Sequence, residues 1–434
     1  MTEASKNATD KLYDLIANEE DARACSDIPD EACREVPRNF FLILASNVLT
    51  KLGDLLTSPK TVLTWLMGTI GTPALVAWLV PIRESGSMVP QLLIGAWVRR
   101  RPVRKGFWVL GSLGQAASVA VMAASIWWLQ GYAAGGVILA ALVCFSLFRG
   151  FCSVAMKDVQ GKCVPKGRRG RLSGLATTLG GAGTVLLTLL LFWGRGEPGI
   201  AFYTGVLLLA ALMWLVAGSL FACVEEYQGE TGGGGNAFRQ AVVNLSLLKT
   251  DAPFRHFVFT RSCLLCSALA APYLVLLAQQ QTDSGWLLGG FLLASSLAAS
   301  LSASVWGWMA DQSSRQVMLR GAIIASSLCL IIGTHALFMT SQPAPIWLYP
   351  AAFFILGIAH AGVRLGRKTY LVDMAGGNKR TDYTSVSNTL AGVLLLVVGG
   401  LSAAVSFLSE GAVIIMLGLL GLVGTLSAQR LPEV

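Results

Sequence analysis

The sequence predicts an all-α membrane protein whose twelve transmembrane helices form two pseudo-symmetric halves of six. Three observations predict it: an apolar composition in long runs, basic loops that alternate along the chain, and a repeat on either side of a glycine tract. Of 434 residues, 54% are hydrophobic and only 13% are charged, with a mean hydropathy of +0.62. A soluble domain carries about a quarter charged residues. Runs such as Val137–Phe148, Val206–Cys223 and Ala391–Phe407 recur throughout. About twenty mainly apolar residues cross a hydrocarbon core of about 30 Å, and helices are the default there because lipid gives backbone groups no partners.

The first 37 residues are a polar tail without an apolar signal-peptide core. Ten acids and four bases give it a net charge of −6, which leaves +15 for the rest. Within it, "TDKLYDLIANEEDARAC" can form a short amphipathic helix capped near Thr9 or Asp10, with Leu12, Leu15 and Ile16 on one side, resting on basic loops or staying solvated. Spans are predicted at 40–66, 72–98, 106–128, 133–156, 172–193 and 199–222, then at 256–280, 285–309, 316–340, 345–367, 384–408 and 411–429. Between the sixes, "EEYQGETGGGGNAFRQ" reads as a flexible linker. The organisation is thus a tail over 1–37, a first half over 38–223, a linker over 224–254 and a second half over 255–434.

Basic clusters follow spans 2, 4, 8 and 10, at Arg99–Lys105, Lys162–Arg171, Arg315 with Arg320, and Lys368 with Lys379 and Arg380. Arg195 is the only clear base in the opposite loops. The positive-inside rule then predicts a multi-pass protein of the cytoplasmic (inner) membrane with both termini cytoplasmic. The halves repeat: Gly95 matches Gly307 at an offset of 212, and Lys157 matches Lys368 at 211. Arg169–Arg171 lies over Arg380–Asp382, also at 211. Parallel six-helix halves joined by a linker are a transporter architecture.

Nine cysteines show no framework and are expected as reduced thiols. Cys263 and Cys266 form a CxxC inside an apolar helix, where packing is the better reading than metal. His256, His335 and His360 are too scattered for a ligand cluster. There is no P-loop, nucleophile motif or metal site, so neither an enzyme nor a cofactor is expected, and the positive charge reads as membrane loops rather than a nucleic-acid site.

The decisive stretch is "PIRESGSMVPQLLIGAWVRRRP", Pro81 to Pro102. Two parses compete. If span 2 is 72–98, Arg83 and Glu84 lie in mid-membrane; if it is 61–82, they begin a loop. The repeat favours the first, because Gly307 directly follows a full-length span and Gly95 should too. Span 1 carries Lys51 and Asp54 near its middle, an i,i+3 pair. Arg83 and Glu84 point about 100° apart, so each needs its own partner. Asp54 for Arg83 and Lys51 for Glu84 is the expected arrangement. An intramembrane charge faces a polar cavity or a partner, so these four either lock spans 1 and 2 together or line a transport cavity. Arg149 in span 4, and Asn388 with its Ser/Thr neighbours in span 11, join them as candidates. Asp54 and Glu84 are the candidate proton carriers.

The loop after span 8 reads Gly307-Trp-Met-Ala-Asp311-Gln-Ser-Ser-Arg315, and its first-half equivalent runs from Gly95 through Arg99 to Arg104 and Lys105. On these residues the chain resembles the major facilitator superfamily over nearly all of 38–432. The tail and the Val80–Gln91 segment resemble a bacterial branch of it. The resemblance implies that the loop helps to latch the cytoplasmic gate, although Arg99 stands where the family usually has Asp. Arg149 looks like the family's span-4 arginine of proton-coupled exchange, with Gly150 at a different spacing. Gly174, Gly180, Gly181 and Gly183 in span 5 lack the Gly-Pro pair of the family's antiporters.

Gate residues are expected at Gly95, Arg99, Arg101, Lys157, Asp158, Gly307, Asp311, Arg315, Lys368, Asp373 and Asp382, with Arg99 or Arg101 meeting Asp373 or Asp382. Lipid phosphate is the competing partner for these bases. The predicted function is alternating-access secondary transport of a small polar solute. The excess of Lys51, Arg83 and Arg149 over Asp54 and Glu84 points to an anionic or zwitterionic one, with a proton as candidate coupling ion. A monomer in contact with membrane lipids is expected. Drug export, lipid flipping and a non-transporting scaffold or sensor are the alternatives.

Overall fold

The computed structural model describes Tyr13 and residues 30–194, 196–229, 231, 246–338, 344–375 and 380–433. Among the described residues, eleven helices are long and apolar enough to cross a membrane. The twelfth crossing is span 2, which is divided into Val76–Met88 and Gln91–Arg99, each too short to span alone. The division falls at Pro90, which has no N–H to donate to the preceding turn. Span 2 therefore includes both Arg83 and Gly95, and its charges lie within the crossing rather than at its edge.

Span 1 is also broken. Asp30–Leu56 is followed by Val62–Thr69, and the intervening Thr57–Thr61 stretch holds Pro59 and Lys60. Thr64 closes the break by donating to the Pro59 carbonyl at 2.7 Å. The remaining first-half spans are Lys105–Trp128, Gly131–Cys163, Lys166–Phe192 and Ile200–Ala222. Span 7 comes in three pieces, Ala252–Cys263, Cys266–Leu269 and Ala271–Gln279, the last starting with Pro272 in the first turn, where a missing N–H costs nothing. Spans 8 to 12 are Gly285–Ala310, Ser314–Phe338, Leu348–Met374, Arg380–Ser406 and Glu410–Gln429.

The packing repeats between halves. Span 3 packs on spans 4 and 6, span 1 on 5 and 6, and span 2 on 4; correspondingly span 9 packs on 10 and 12, span 7 on 11 and 12, and span 8 on 10. The principal contacts between halves are span 2 with 11, its counterpart span 5 with 8, and span 1 with 7. Small residues permit the first of these. A Cβ on Gly399 would lie 2.5 Å from Pro81 Cγ, and one on Gly392 would lie 2.8 Å from a Val89 methyl. Ser85 Oγ donates to the Gly392 carbonyl at 2.7 Å.

The two ends of the bundle differ. At the end opposite the termini, Gln279 Nε2 donates to the Trp65 carbonyl at 3.0 Å and Thr69 Oγ1 at 3.1 Å. Gly285 N–H donates to the Gly196 carbonyl at 2.7 Å. Exposed Trp127, Trp128, Trp193, Trp286 and Trp347 ring this end, as aromatic residues do at a membrane interface. At the end that carries the termini, no hydrogen bond joins the halves among the described residues. Among the described residues, the halves are thus fastened to each other by hydrogen bonds at the far end and not at the terminal end.

Two expectations are corrected here. The start of the linker is held rather than free: the Glu226 side chain is fully buried, and its carboxylate accepts from the Arg104 and Lys105 backbone N–H groups at 2.8 and 2.5 Å and from Lys162 Nζ at 2.8 Å. Cys33 is disulfide-bonded where reduced thiols are expected, while seven described cysteines are free. The tail helix lies outside the described residues except Tyr13, whose ring meets Phe40 edge-on and lies beneath Arg168.

Candidate functional site

Asp54 and Arg83 meet as expected, and Arg149 joins them. Asp54 Oδ1 accepts from Arg83 at 2.7 Å and from Arg149 at 2.5 Å, which ties together spans 1, 2 and 4. The Arg83 guanidinium also lies 4.1 Å from the centre of the Phe145 ring, a cation–π contact that offsets part of its desolvation. Lys51 does not reach Glu84. It donates to Thr177 Oγ1 of span 5 at 2.9 Å, because Lys51 lies on the side of span 1 toward span 5 while Glu84 faces the other half. Asn388 Oδ1 accepts from Arg261 at 2.8 Å, and Ser387 Oγ accepts from the same guanidinium. Arg261 thus joins spans 7 and 11 through neutral partners.

Glu84 opens onto a cavity of about 210 Å³ between the halves. Lys60, Glu84 and Met88 line its first-half side. On the other side, span 10 contributes His360, Arg364 and Arg367, at i, i+4 and i+7 on one helical face. Ser267 of span 7 sits 3.1 Å from His360 Nδ1. The side chains of Lys60, Glu84, Arg364 and Arg367 make no hydrogen bond or ion pair among the described residues. A second cavity of about 630 Å³ runs between spans 1, 5 and 8. Lys51 and Asp54 line it with hydroxyls that include Ser58, Thr61, Thr184 and Ser296. The two cavities share Ser295 and Ala299 of span 8, so they form adjoining parts of one polar chamber. No cluster of three or more possible metal ligands occurs among the described residues.

Lys60 and the span-10 bases escape sequence reasoning for identifiable reasons. Lys60 falls in the break of span 1 and reads as a turn residue. Span 10 continues to Met374 rather than stopping at 367, so Arg367 is two turns inside a helix instead of at its end. The available signal was the His360-x3-Arg364-x2-Arg367 spacing, since three polar residues on one face of an apolar span need a polar environment.

Neither Arg99 nor Arg101 meets Asp373 among the described residues. Arg99 bonds its own helix, donating to the Gly95 carbonyl at 3.2 Å. Arg101 and Lys157 are exposed. Asp158 pairs with Arg104 and with Lys162 of its own half. Arg315 pairs with Glu433 and donates to the Leu431 carbonyl at 2.8 Å, also within its own half. Gly307 abuts open space, and Asp311, Lys368 and Asp373 are exposed. The Asp382 side chain lies outside the described residues.

Two six-helix halves around a central chamber, fastened to each other at one end, are a carrier's geometry. The family model of the Major Facilitator Superfamily matches residues 44–400. The chain belongs to the major facilitator superfamily. It is therefore a multi-pass membrane transporter and not an enzyme. No curated protein matches it in sequence. Among solved structures, the inward-open xylose transporter XylE from E. coli superposes with a TM-score of 0.67 at 13% identity, over 91% of this chain and 97% of that one. The nucleoside transporter NupG gives 0.69 at 11% identity, over 90% and 99%. A POT family transporter in complex with 5-aminolevulinic acid gives 0.65 at 12% identity, over 93% and 98%. At these identities the likeness is one of fold.

Proposed function

We propose that this superfamily member is a secondary active transporter of a small anionic or zwitterionic solute, bound between its halves and released by alternating access. One observation carries the reading: Lys60 from the first half and His360, Arg364 and Arg367 from the second face a single cavity that holds one carboxylate, Glu84. A solute that touches both halves favours their closure around it, and its binding energy is then spent on the conformational change. Asp54, fixed by two arginines, serves as the anchor of spans 1, 2 and 4. Glu84, unpaired in the cavity, serves as the candidate proton carrier. The basic loops support a cytoplasmic placement of both termini in the inner membrane, which makes the described state inward-facing. The domain organisation is a cytoplasmic tail, two six-helix halves and a linker, with the Glu225–Gly229 stretch fastened to the first half. Each chain has a complete cavity, in keeping with a monomer.

In the outward-facing state, the gate residues Arg99 and Arg101 close against Asp373 and Asp382. Proteoliposome uptake of labelled organic anions, with and without an imposed pH gradient, tests the reading. Accumulation that requires Arg367 and collapses with the gradient supports it; gradient-driven accumulation that survives Glu84→Gln removes Glu84 from the coupling.

A second reading, lipid export, has one observation in its favour. An apolar groove of about 680 Å³ lies between spans 5 and 8 at the far end, walled by Leu189, Phe192, Trp193, Trp286 and Leu293. Flipping of a fluorescent phospholipid in reconstituted vesicles separates the two readings.

A further inference from the structure

We infer that the solute carried in the cavity between spans 1, 2 and 10 is a small dianion. This rests on the anion-or-zwitterion reading above and narrows it. Lys60, Arg364 and Arg367 are three fixed cations on the cavity wall, and Glu84 is one carboxylate. With His360 counted as neutral, two positive charges are left over. The other cations buried nearby are all engaged. Arg83 and Arg149 are on Asp54, Arg261 is on Ser387 and Asn388, and Lys51 is on Thr177. Of these cations, only Lys60, Arg364 and Arg367 make no hydrogen bond or ion pair among the described residues.

While the chamber is open to water, that excess is solvated. Alternating access requires the chamber to close, and closing over unpaired charge in a membrane is costly. A zwitterion leaves both charges uncompensated and a monoanion leaves one. A dianion balances the charges on the wall of this cavity, Lys60, Arg364 and Arg367 against Glu84, with Glu84 ionised. The placement of the cations agrees. Lys60 belongs to span 1, while Arg364 and Arg367 lie about one turn apart on span 10, so two anionic groups joined by a short linker engage both halves. Guanidinium forks suit the planar geometry of carboxylate oxygens. The cavity has a volume of about 210 Å³ and adjoins one of about 630 Å³, which is room for a small organic anion.

The test is thermal unfolding of the full-length protein in detergent at constant ionic strength. The probes are the dicarboxylates from malonate to adipate and sulfate, compared with propionate, chloride and the zwitterion β-alanine. The inference predicts that at least one dianion raises the Tm by about 2 °C or more, with the monoanions and β-alanine giving less than a third of that. It also predicts that Arg364→Gln and Arg367→Gln remove the shift, whereas Lys249→Gln on the exposed linker side keeps it. If propionate or β-alanine matches the dianions and still depends on Arg367, the dianion inference falls and the broader anion-or-zwitterion reading stands. If no probe of any charge shifts the Tm, both fall. The ranking of probes on the unsubstituted protein decides the matter even if an arginine variant fails to fold.

Discussion

Asp54 and Arg83 are 29 residues apart in the chain and 2.7 Å apart in the fold. Arg149 reaches the same oxygen from span 4. One carboxylate thus neutralises half of a two-arginine cluster inside the membrane. Asp54→Asn leaves two guanidinium groups with no counter-charge, and removing one member of a buried ion pair costs about 3–5 kcal/mol. A large fall in Tm in detergent is expected for Asp54→Asn. Arg149→Gln, whose side chain is 35% exposed, is expected to cost much less, because the Asp54–Arg83 pair survives. Equal losses for the two variants contradict the anchor role.

The far-end closure depends on Gln279. Its amide bridges to the Trp65 carbonyl and the Thr69 hydroxyl across the halves, and Gly68 has no Cβ to obstruct it. Each such bond contributes about 1 kcal/mol net. Gln279→Ala is expected to shift the population toward the state open at the far end by about five- to thirtyfold. Pulsed spin-label distances between the ends of spans 1 and 7 measure it. An unchanged distance distribution removes Gln279 from the closure.

The tightest span 2–span 11 contact makes a second prediction about the same equilibrium. A side chain on Gly399 collides with the Pro81 ring, whose Cγ would be 2.5 Å away. Gly399→Val is expected to prevent the described packing and to trap the alternative state with overall stability lowered by about 1–3 kcal/mol, the usual cost of overpacking. Transport assays should show reduced turnover, and spin-label distances should show the far end open.

Glu226 closes the first half at its terminal end. It accepts from two backbone N–H groups at the start of span 3 and from Lys162, a favourable site for an anion at a helix N-terminus. Glu226→Ala leaves Lys162 and those N–H groups without this partner. A Tm decrease equivalent to about 2 kcal/mol and faster tryptic cleavage near 225–240 are expected. Unchanged proteolysis means that the linker is not fastened through this residue.

Much of this architecture is legible in the sequence, since long apolar runs and alternating basic loops are set by the bilayer itself. Span 2 is legible only through the repeat, because its charges and Pro90 disguise it as two short segments. Helix ends are less visible. Spans 4 and 10 continue to Cys163 and Met374, beyond the charged residues at which the apolar pattern stops. The Asp54–Arg83 pair follows from charge balance, whereas Lys51 turning to Thr177 does not. The opposed Lys60 and span-10 bases depend on how two halves face each other, and no local pattern encodes that. The linker's Glu226 is hidden for a similar reason, since its partners lie 64 to 122 residues away.

The central claim is a chamber between the halves that opens to one side of the membrane at a time. Ser295 lines both parts of it. The most direct test is the reactivity of Ser295→Cys, in a background without the native cysteines, toward a membrane-impermeant thiol reagent added to sealed vesicles of known orientation. The account predicts labelling from the side of the termini, slowed by bound solute, and labelling from the opposite side once Gly399→Val is added. Absence of labelling from both sides, or equal labelling from both in the single variant, contradicts it.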